Sequence, residues 1–440
     1  MNTFFKGTLF LVIAAFLGEC LEFFINMILA RELGEGGMGL YMAILPLVFL
    51  IVVLASLELP ISISKFIAEN DRSYHRSLLY HAMKLAIFSM GLLMVVTVLT
   101  IPFVPIFHRY HPFIRWLVVI LIPIISLSSI ARGYFMGLQQ MGKIAISNFL
   151  RRVIQLLLLV FLFQLFSFRT ESALLIALVT LVGSEVVVFV YLFRAFITPF
   201  YSLRRQPQQI MSGRNVRKHL LAVSLPATGL RIFHAVTNAI QPFLIIGVLV
   251  ISGLSETIAT EQFGVLAGVA LSIGFFPVFI AHSFLTVLIP TVSKAYADKD
   301  FPQLKKLLQQ VTIMTFLYGI PAVVLFSFFA EPLTQLFFTS TSAAVYLKLL
   351  WPFFLFHFFV IPLQAFLIGF GLIKDALYHA LWATTAGYLL IYLFGSHPHF
   401  QMHGVIIGMN MEAVLLTLMH YVTVCRKTGV SLTLRKTSYT

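Results

Sequence analysis

Five polar residues in one apolar stretch could do chemistry together. Leu225 to Pro242 reads LPATGLRIFHAVTNAIQP, inside an apolar segment running from about Leu220 to Ile251. Thr228, Arg231, His234, Asn238 and Gln241 recur at steps of three and four, which places them on one face of an α-helix. An arginine inside a membrane costs roughly 2.5–3.5 kcal/mol on insertion scales, so such a residue turns to a partner or a watery cavity. Its guanidinium is suited to gripping phosphate through paired N–H donors. A second stripe, Glu19, Glu22 and Asn26, has the same spacing in the first apolar segment. Its carboxylates suit binding of a proton or a coupling cation. They equally suit pairing with Arg231 across a central cavity, or a structural ion pair that only holds two lobes together. Arg231, His234, Asn238, Gln241, Glu19, Glu22 and Asn26 are therefore the candidate cavity residues.

Further charges lie near segment ends. Glu58, seven residues before Lys65, could gate an inner mouth with Lys65 or Lys294. Arg132 completes this group, as an anchor whose head reaches the interface or meets an interfacial phosphate. Glu185 and Glu412 are lone acids inside apolar segments and read as packing partners.

Other apparent motifs dissolve on inspection. Gly137-x4-Gly142-Lys143 imitates a phosphate-binding loop, but Ile144 stands where Ser or Thr is required and no strand precedes it. Ser62-x-x-Lys65 imitates a penicillin-binding site without its partner motifs. Gly133-x3-Gly137, Gly264-x3-Gly268 and Gly404-x3-Gly408 are small-residue patterns that let membrane helices approach closely. His397, His399 and His403 lack a nearby carboxylate or cysteine, so no metal site is expected. Cys20 and Cys425 form no CxxC or zinc spacing and no disulfide framework. No cofactor is expected, only H+ or Na+ as a coupling ion.

The elements that must position these residues follow from composition. The chain is 60% hydrophobic and 10% charged, with 45 Phe among its 440 residues, against roughly 25% charged for a soluble domain. It reads as a polytopic membrane protein. Apolar segments of the length a bilayer needs fall at about 8–30, 41–64, 81–104, 113–137, 144–166, 173–197, 220–251, 262–290, 311–330, 346–370, 377–395 and 403–424. The two long ones, 220–251 and 262–290, are expected to tilt or to bend at Pro242 and Pro277. The first is read as an uncleaved span, since Glu19 and Glu22 interrupt it and no small-residue cleavage site stands out.

Charge then sets orientation. With the N-terminus in the cytoplasm, Arg31, Arg109, Arg115, Arg169 and Lys348 fall outside, Arg132 and Arg231 fall within spans, and every other Lys and Arg of the 30 falls on the cytoplasmic side. By the positive-inside rule both termini are cytoplasmic. The net charge of +14 faces anionic lipid and is no nucleic-acid footprint.

The halves resemble each other. Pro60-Ile-Ser-Ile-Ser64-Lys65 and Pro290-Thr-Val-Ser293-Lys294 share a pattern with one residue of slippage. Gly137 to Lys143 matches Gly369 to Lys374 loosely. The expected division is an N-terminal six-helix lobe (1–197), a basic linker (198–219), a C-terminal six-helix lobe (220–425) and a tail (426–440). Six spans per half give repeats of the same orientation, related by an axis along the membrane normal, with a site between them near the midplane.

Arg132-Gly-Tyr-Phe-Met-Gly137-Leu-Gln139-Gln-Met-Gly-Lys143 resembles the fourth-span signature of the stage V sporulation protein B group. Gly39-Leu-Tyr41 and Leu59-Pro60-Ile-Ser-Ile-Ser-Lys65-Phe-Ile-Ala-Glu69 resemble its second span. That group belongs to the polysaccharide-exporter branch of the multidrug/oligosaccharidyl-lipid/polysaccharide flippases, which also holds the MurJ-type lipid II flippases as more distant relatives. The resemblance covers nearly the whole chain. It implies an all-α fold of twelve transmembrane helices as two six-helix bundles, a monomeric alternating-access transporter in a bacterial cell membrane, and lipid-linked saccharide as substrate. Glu19 and Glu22 depart from the mostly neutral first span of the group. The expected function is a flippase for a lipid-linked glycan or peptidoglycan precursor, in sporulation envelope synthesis. A cation-coupled exporter of small amphipathic compounds and a non-transporting envelope scaffold are the alternatives. An enzyme is not expected.

Overall fold

Long apolar segments in lipid have one way to satisfy their backbone groups without a closed barrel, which is to stay helical. The computed structural model describes residues 3–103, 107, 109–138, 140–166, 170–203, 212–337 and 342–429. Arg169, Arg204 and Arg205, with the tail beyond Gly429, lie outside the described residues. Among the described residues every regular element is helical. These are α1 (Thr3–Ser56), α2 (Leu59–Glu69), α3 (Arg72–Thr100), α4 (Phe113–Gly137), α5 (Met141–Leu165), α6 (Thr170–Leu203), α7 (Gly213–Ile251), α8 (Glu256–Val265), α9 (Leu271–Gly274), α10 (Val278–Ala297), α11 (Phe301–Phe328), α12 (Ala330–Gln335), α13 (Ser342–Leu349), α14 (Trp351–Gly369), α15 (Ile373–Gly395) and α16 (Met402–Thr428).

Eleven helical runs among the described residues are long and apolar enough to cross a membrane. The chain is thus a multi-spanning membrane protein. The first run, Phe16–Ile67, is 52 residues long. At about 1.5 Å per residue it reaches about 78 Å, well over twice a bilayer core. The sequence places a loop between residues 30 and 41. The structure has a kink there instead, at Gly34, with φ 68° and ψ −179°, a backbone region essentially reserved for glycine. A second break falls at Leu57 and Glu58, both at φ 46°, and the chain restarts as α2 with Pro60 in its first turn. Of the two expected bends, α7 stays helical through Pro242. At Pro277 the chain is interrupted, after a π-turn at Leu266–Ala270 and the short α9.

The chain divides into two compact units, one of residues 1–42 with 241–440 and one of residues 43–240. In the second, α2, α3, α4 and α6 pack together with the start of α7 around Leu59, Ile63, Leu79, Tyr134, Phe135, Val188, Leu192, Val216 and Leu220. Lipid is as apolar as these side chains, so the contact rests on close packing more than on exclusion of water. Gly133 and Gly137 permit it. A Cβ on Gly133 would sit 2.8 Å from the Ile63 Cβ, and one on Gly137 2.5 Å from the Ile67 Cβ. In the first unit α10, α14, α15 and α16 pack together. Gly369 of α14 presses on Val292 of α10, a Cβ there falling 2.8 Å from its Cγ1. The same glycine-to-helix contact thus meets both copies of the Pro…Ser-Lys pattern. Gly264 meets the α1 backbone, where a Cβ would lie 2.4 Å from the Glu35 carbonyl oxygen and the Gly39 nitrogen. Gly404 and Gly408 likewise lie against the α15 backbone.

Candidate functional site

The break in the first apolar run positions a charge. Two consecutive left-handed residues turn the backbone, and the cost of such a conformation is about 1–2 kcal/mol for each non-glycine residue. The Glu58 N–H donates to the Ser56 hydroxyl at 3.4 Å, and the Glu58 carbonyl accepts from the Ile61 N–H at 3.1 Å as α2 begins. The Glu58 side chain is only 4% exposed. A carboxylate in such a place requires a cation.

Arg231 supplies it. Its Nη1 donates to Glu58 Oε1 at 2.5 Å, across 173 residues of chain. The guanidinium carbon also lies 5.8 Å from the centre of the Phe49 ring, within cation–π range. Yet the Arg231 side chain remains 48% exposed. The pair is lopsided, with a buried anion on one side and a half-open cation on the other. Along α7, Thr228 lies one turn before Arg231 with a buried hydroxyl that has no hydrogen-bond partner among the described residues. His234 is half-buried and Asn238 exposed. Within the 43–240 unit these side chains form a polar strip beside one well-held guanidinium.

Several of the other sequence-selected residues belong to the other unit. Gln241 begins the part of α7 that belongs to the other unit. Glu19, Glu22 and Asn26 also belong there and are half-buried, and the Asn26 amide donates to the Ser272 hydroxyl at 3.3 Å. Glu58 meets Arg231 in its own unit, and Lys294 belongs to the other unit. The left-handed turn buries the Glu58 carboxylate, whereas Lys65, almost two turns further along α2, is exposed, and Lys294 is exposed on α10. Arg132 donates to Asn148 at 3.0 Å. Glu185 pairs with Arg151 at 3.7 Å, and Glu412 accepts from the Thr384 hydroxyl at 2.7 Å, so both lone acids are held by neighbours. Among the described residues no three His, Cys, Asp or Glu side chains gather as metal ligands.

The sequence named both members of the central pair but not the pairing. The available signal was Glu58-Leu59-Pro60, since a proline tends to expel the preceding residue from a helix. It lay within an otherwise unbroken apolar span.

The fold and its ion pair define a multi-pass α-helical membrane protein with a charged pair inside a helical bundle. A family model described as "Polysaccharide biosynthesis protein" matches residues 4–294, and one described as MatE matches residues 246–393. The chain belongs to the polysaccharide biosynthesis protein family. It is 54% identical to "Sporulation protein YkvU" of Bacillus subtilis (strain 168) over 98% of this chain and 97% of that one. It is 31% identical to "Stage V sporulation protein B" of the same organism, over 99% and 86%. A more distant match, 25% identical over 51% of this chain and 42% of the other, is "Lipid II flippase MurJ" of that organism. Among solved structures, an inward-facing multidrug resistance MATE family transporter superposes with a TM-score of 0.73, covering 96% of both chains at 17% identity. That last likeness concerns the fold alone.

Proposed function

We propose that this protein is an alternating-access flippase, not an enzyme, that carries a lipid-linked saccharide or peptidoglycan precursor from the inner to the outer leaflet of a bacterial cell membrane. In this reading twelve spans form two six-helix bundles, divided near residues 198–219, with both termini cytoplasmic and a single chain as the working unit. Membrane lipid and the lipid-linked substrate are its partners. The sporulation proteins among its relatives support a role in spore-envelope synthesis, and the lipid II flippase supports the substrate class.

One observation carries the mechanism: Arg231 is held by a buried carboxylate while half of its side chain stays open. A phosphate or diphosphate can approach that open face and take hydrogen bonds from the guanidinium fork. As it does, the grip of Glu58 weakens, and the turn at Leu57–Glu58 is where the helix can yield. Substrate binding and movement of α2 would then be linked through one ion pair. Thr228, His234 and Asn238 contribute polar contacts on the same helix.

The test is translocation of a lipid-linked precursor in vesicles reconstituted with the purified full chain. Wild-type protein should move it, and Arg231→Gln should not, at equal reconstitution. Absence of movement with every precursor tried would overturn the proposal.

A second reading, cation-coupled export of small amphipathic compounds, draws on Glu19 and Glu22, two half-buried acids on one helical face. It requires that Glu19→Gln with Glu22→Gln remove dependence on a proton or sodium gradient. Loss of coupling with precursor movement intact would place the ion site there and leave the flippase reading standing.

A further inference from the structure

A separate set of charges lies in the same unit, on α4, α5 and α6. Arg132 on α4 donates from Nη1 to Asn148 Oδ1 at 3.0 Å. Arg151 on α5 stands 3.7 Å from a Glu185 carboxylate oxygen on α6, too far for a hydrogen bond. Asn148 and Arg151 lie three residues apart on α5, so Arg132 is held within one helical turn of that ion pair. Two guanidinium groups and one carboxylate are thus neighbours on α4, α5 and α6, and together they carry one net positive charge.

The shape of α5 explains how that charge is tolerated. One face is apolar and open, with Ile146 53%, Phe149 45%, Leu157 58% and Phe161 59% exposed. A helix packed against protein on its other side would show only that face. Here Asn148, Arg151 and Gln155, at steps of three and four on the opposite side, are respectively exposed, 32% exposed along the side chain, and 4% exposed. The polar face is open at Asn148 and closes toward Gln155. It presents the Arg132 and Arg151 guanidinium groups on one side of α5, with the exposed Phe149 adjoining Asn148.

The geometry points to a lipid-phosphate site. Two guanidinium forks held on one side of a helix match an oxyanion with several oxygens, as phosphate has. A neighbouring apolar face suits the chain of an amphipathic anion. Glu185 is the built-in competitor: its loose contact with Arg151 occupies part of that guanidinium when no phosphate is there. The ligand is a phosphoryl group on a lipid, carried either by a membrane phosphodiester or by a polyprenyl diphosphate. This inference concerns binding alone, so its failure leaves the transport proposal intact, and failure of transport leaves it intact.

Native mass spectrometry of the full chain in detergent micelles tests it, with phosphatidylglycerol, phosphatidylcholine, a polyprenyl diphosphate and a fatty acid as separate probes. Wild-type protein should hold one phosphatidylglycerol or polyprenyl diphosphate in preference to phosphatidylcholine and fatty acid, and the stronger of the two names the source. Arg132→Gln with Arg151→Gln should weaken that binding by about tenfold or more, the change expected for loss of about 1.4 kcal/mol or more. Arg132→Lys with Arg151→Lys should fall between, keeping charge but losing the fork. Glu185→Gln should tighten binding severalfold, since the competitor is gone. A structural ion cluster predicts the opposite for Glu185→Gln, namely no gain in affinity and a lower melting temperature. No loss of affinity in the double Gln variant would overturn the site. So would Glu185→Gln that fails to tighten binding, and this arm decides the matter if the double variant does not fold. Equal binding of fatty acid would also overturn it.

Discussion

Arg231 Nη1 and Glu58 Oε1 lie 2.5 Å apart, but the two side chains are 48% and 4% exposed. The relationship is unequal. Glu58 depends on Arg231 for its charge balance, while Arg231 retains solvent or ligand access without Glu58. A buried ion deprived of its partner costs roughly 3–5 kcal/mol, whereas an exposed pair contributes roughly 0–1 kcal/mol.

The first expectation follows from that asymmetry. Arg231→Ala should destabilise the protein by roughly 3 kcal/mol, and Glu58→Gln by about 1 kcal/mol. Combined, Arg231→Ala with Glu58→Gln should recover most of the loss, because no buried charge is left alone. Thermal unfolding in detergent, followed by intrinsic fluorescence, reads all three. Equal losses for the two single changes would show that the guanidinium is as buried as the carboxylate.

A second expectation concerns the kink in α1. Gly34 combines φ 68° with ψ −179°, and a Cβ there meets nothing within 4 Å. The penalty of Gly34→Ala is therefore purely one of backbone conformation, about 1–3 kcal/mol. Gly91 sits within α3 and is equally uncrowded, so Gly91→Ala should stabilise by roughly 0.5–1 kcal/mol through helix propensity. Opposite signs in the melting temperature are the expected outcome. A harmless Gly34→Ala would mean that the chain does not need the kink.

The outcome at Gly34 illustrates what could be read in advance. The apolar runs, the polar stripe on α7 and the small-residue patterns were visible because each is a local periodicity. Gly133, Gly264 and Gly404 then make the close helix contacts that their spacing suggests. The breaks were less legible. A single glycine or a Leu-Glu-Leu-Pro sequence reverses or interrupts a helix without any loss of hydrophobicity, so a span and a kinked span look alike. Pairing was not legible at all. Lys65 is near Glu58 in sequence, but the left-handed turn at Leu57–Glu58 presents the carboxylate to Arg231 instead. Asn148, which receives Arg132, carried no sequence signal beyond its polarity.

A third expectation links packing to the site. Gly133 lies against α2 one turn beyond Glu58, where an added Cβ would fall 3.0 Å from the Pro60 Cα and 2.8 Å from the Ile63 Cβ. Neither of these is the far end of a flexible side chain, so α2 has to move. Gly133→Ala should cost about 1–3 kcal/mol as an overpacked contact and should also displace Glu58. Precursor translocation should fall more than the folded fraction does when both are measured on the same vesicle preparation. Parallel loss of both would assign Gly133 to stability alone.

The last expectation tests the other unit, at the break between α13 and α14. Asn410 of α16 accepts from the Phe353 N–H at 3.0 Å and donates to the Leu349 carbonyl at 3.1 Å. One amide therefore meets a free N–H at the start of α14 and a free carbonyl at the end of α13, and it ties both to α16. Helix ends in apolar surroundings leave these groups unsatisfied unless a side chain supplies the bonds. Asn410→Leu removes both bonds and should cost roughly 1–3 kcal/mol, most of it from the part-buried Phe353 N–H, since the bond to Leu349 is exposed. Asn410→Asp keeps the acceptor for Phe353 but brings a carboxylate oxygen toward the Leu349 carbonyl, so it should be no milder at neutral pH. At a pH low enough to protonate the introduced acid, its O–H can donate to that carbonyl. The Asp variant should then regain stability relative to the Leu variant, because the native Asn has no such titration. Melting curves of the three proteins across acid and neutral pH read the difference. Parallel curves for Leu and Asp at every pH would show that the Leu349 carbonyl is satisfied without Asn410.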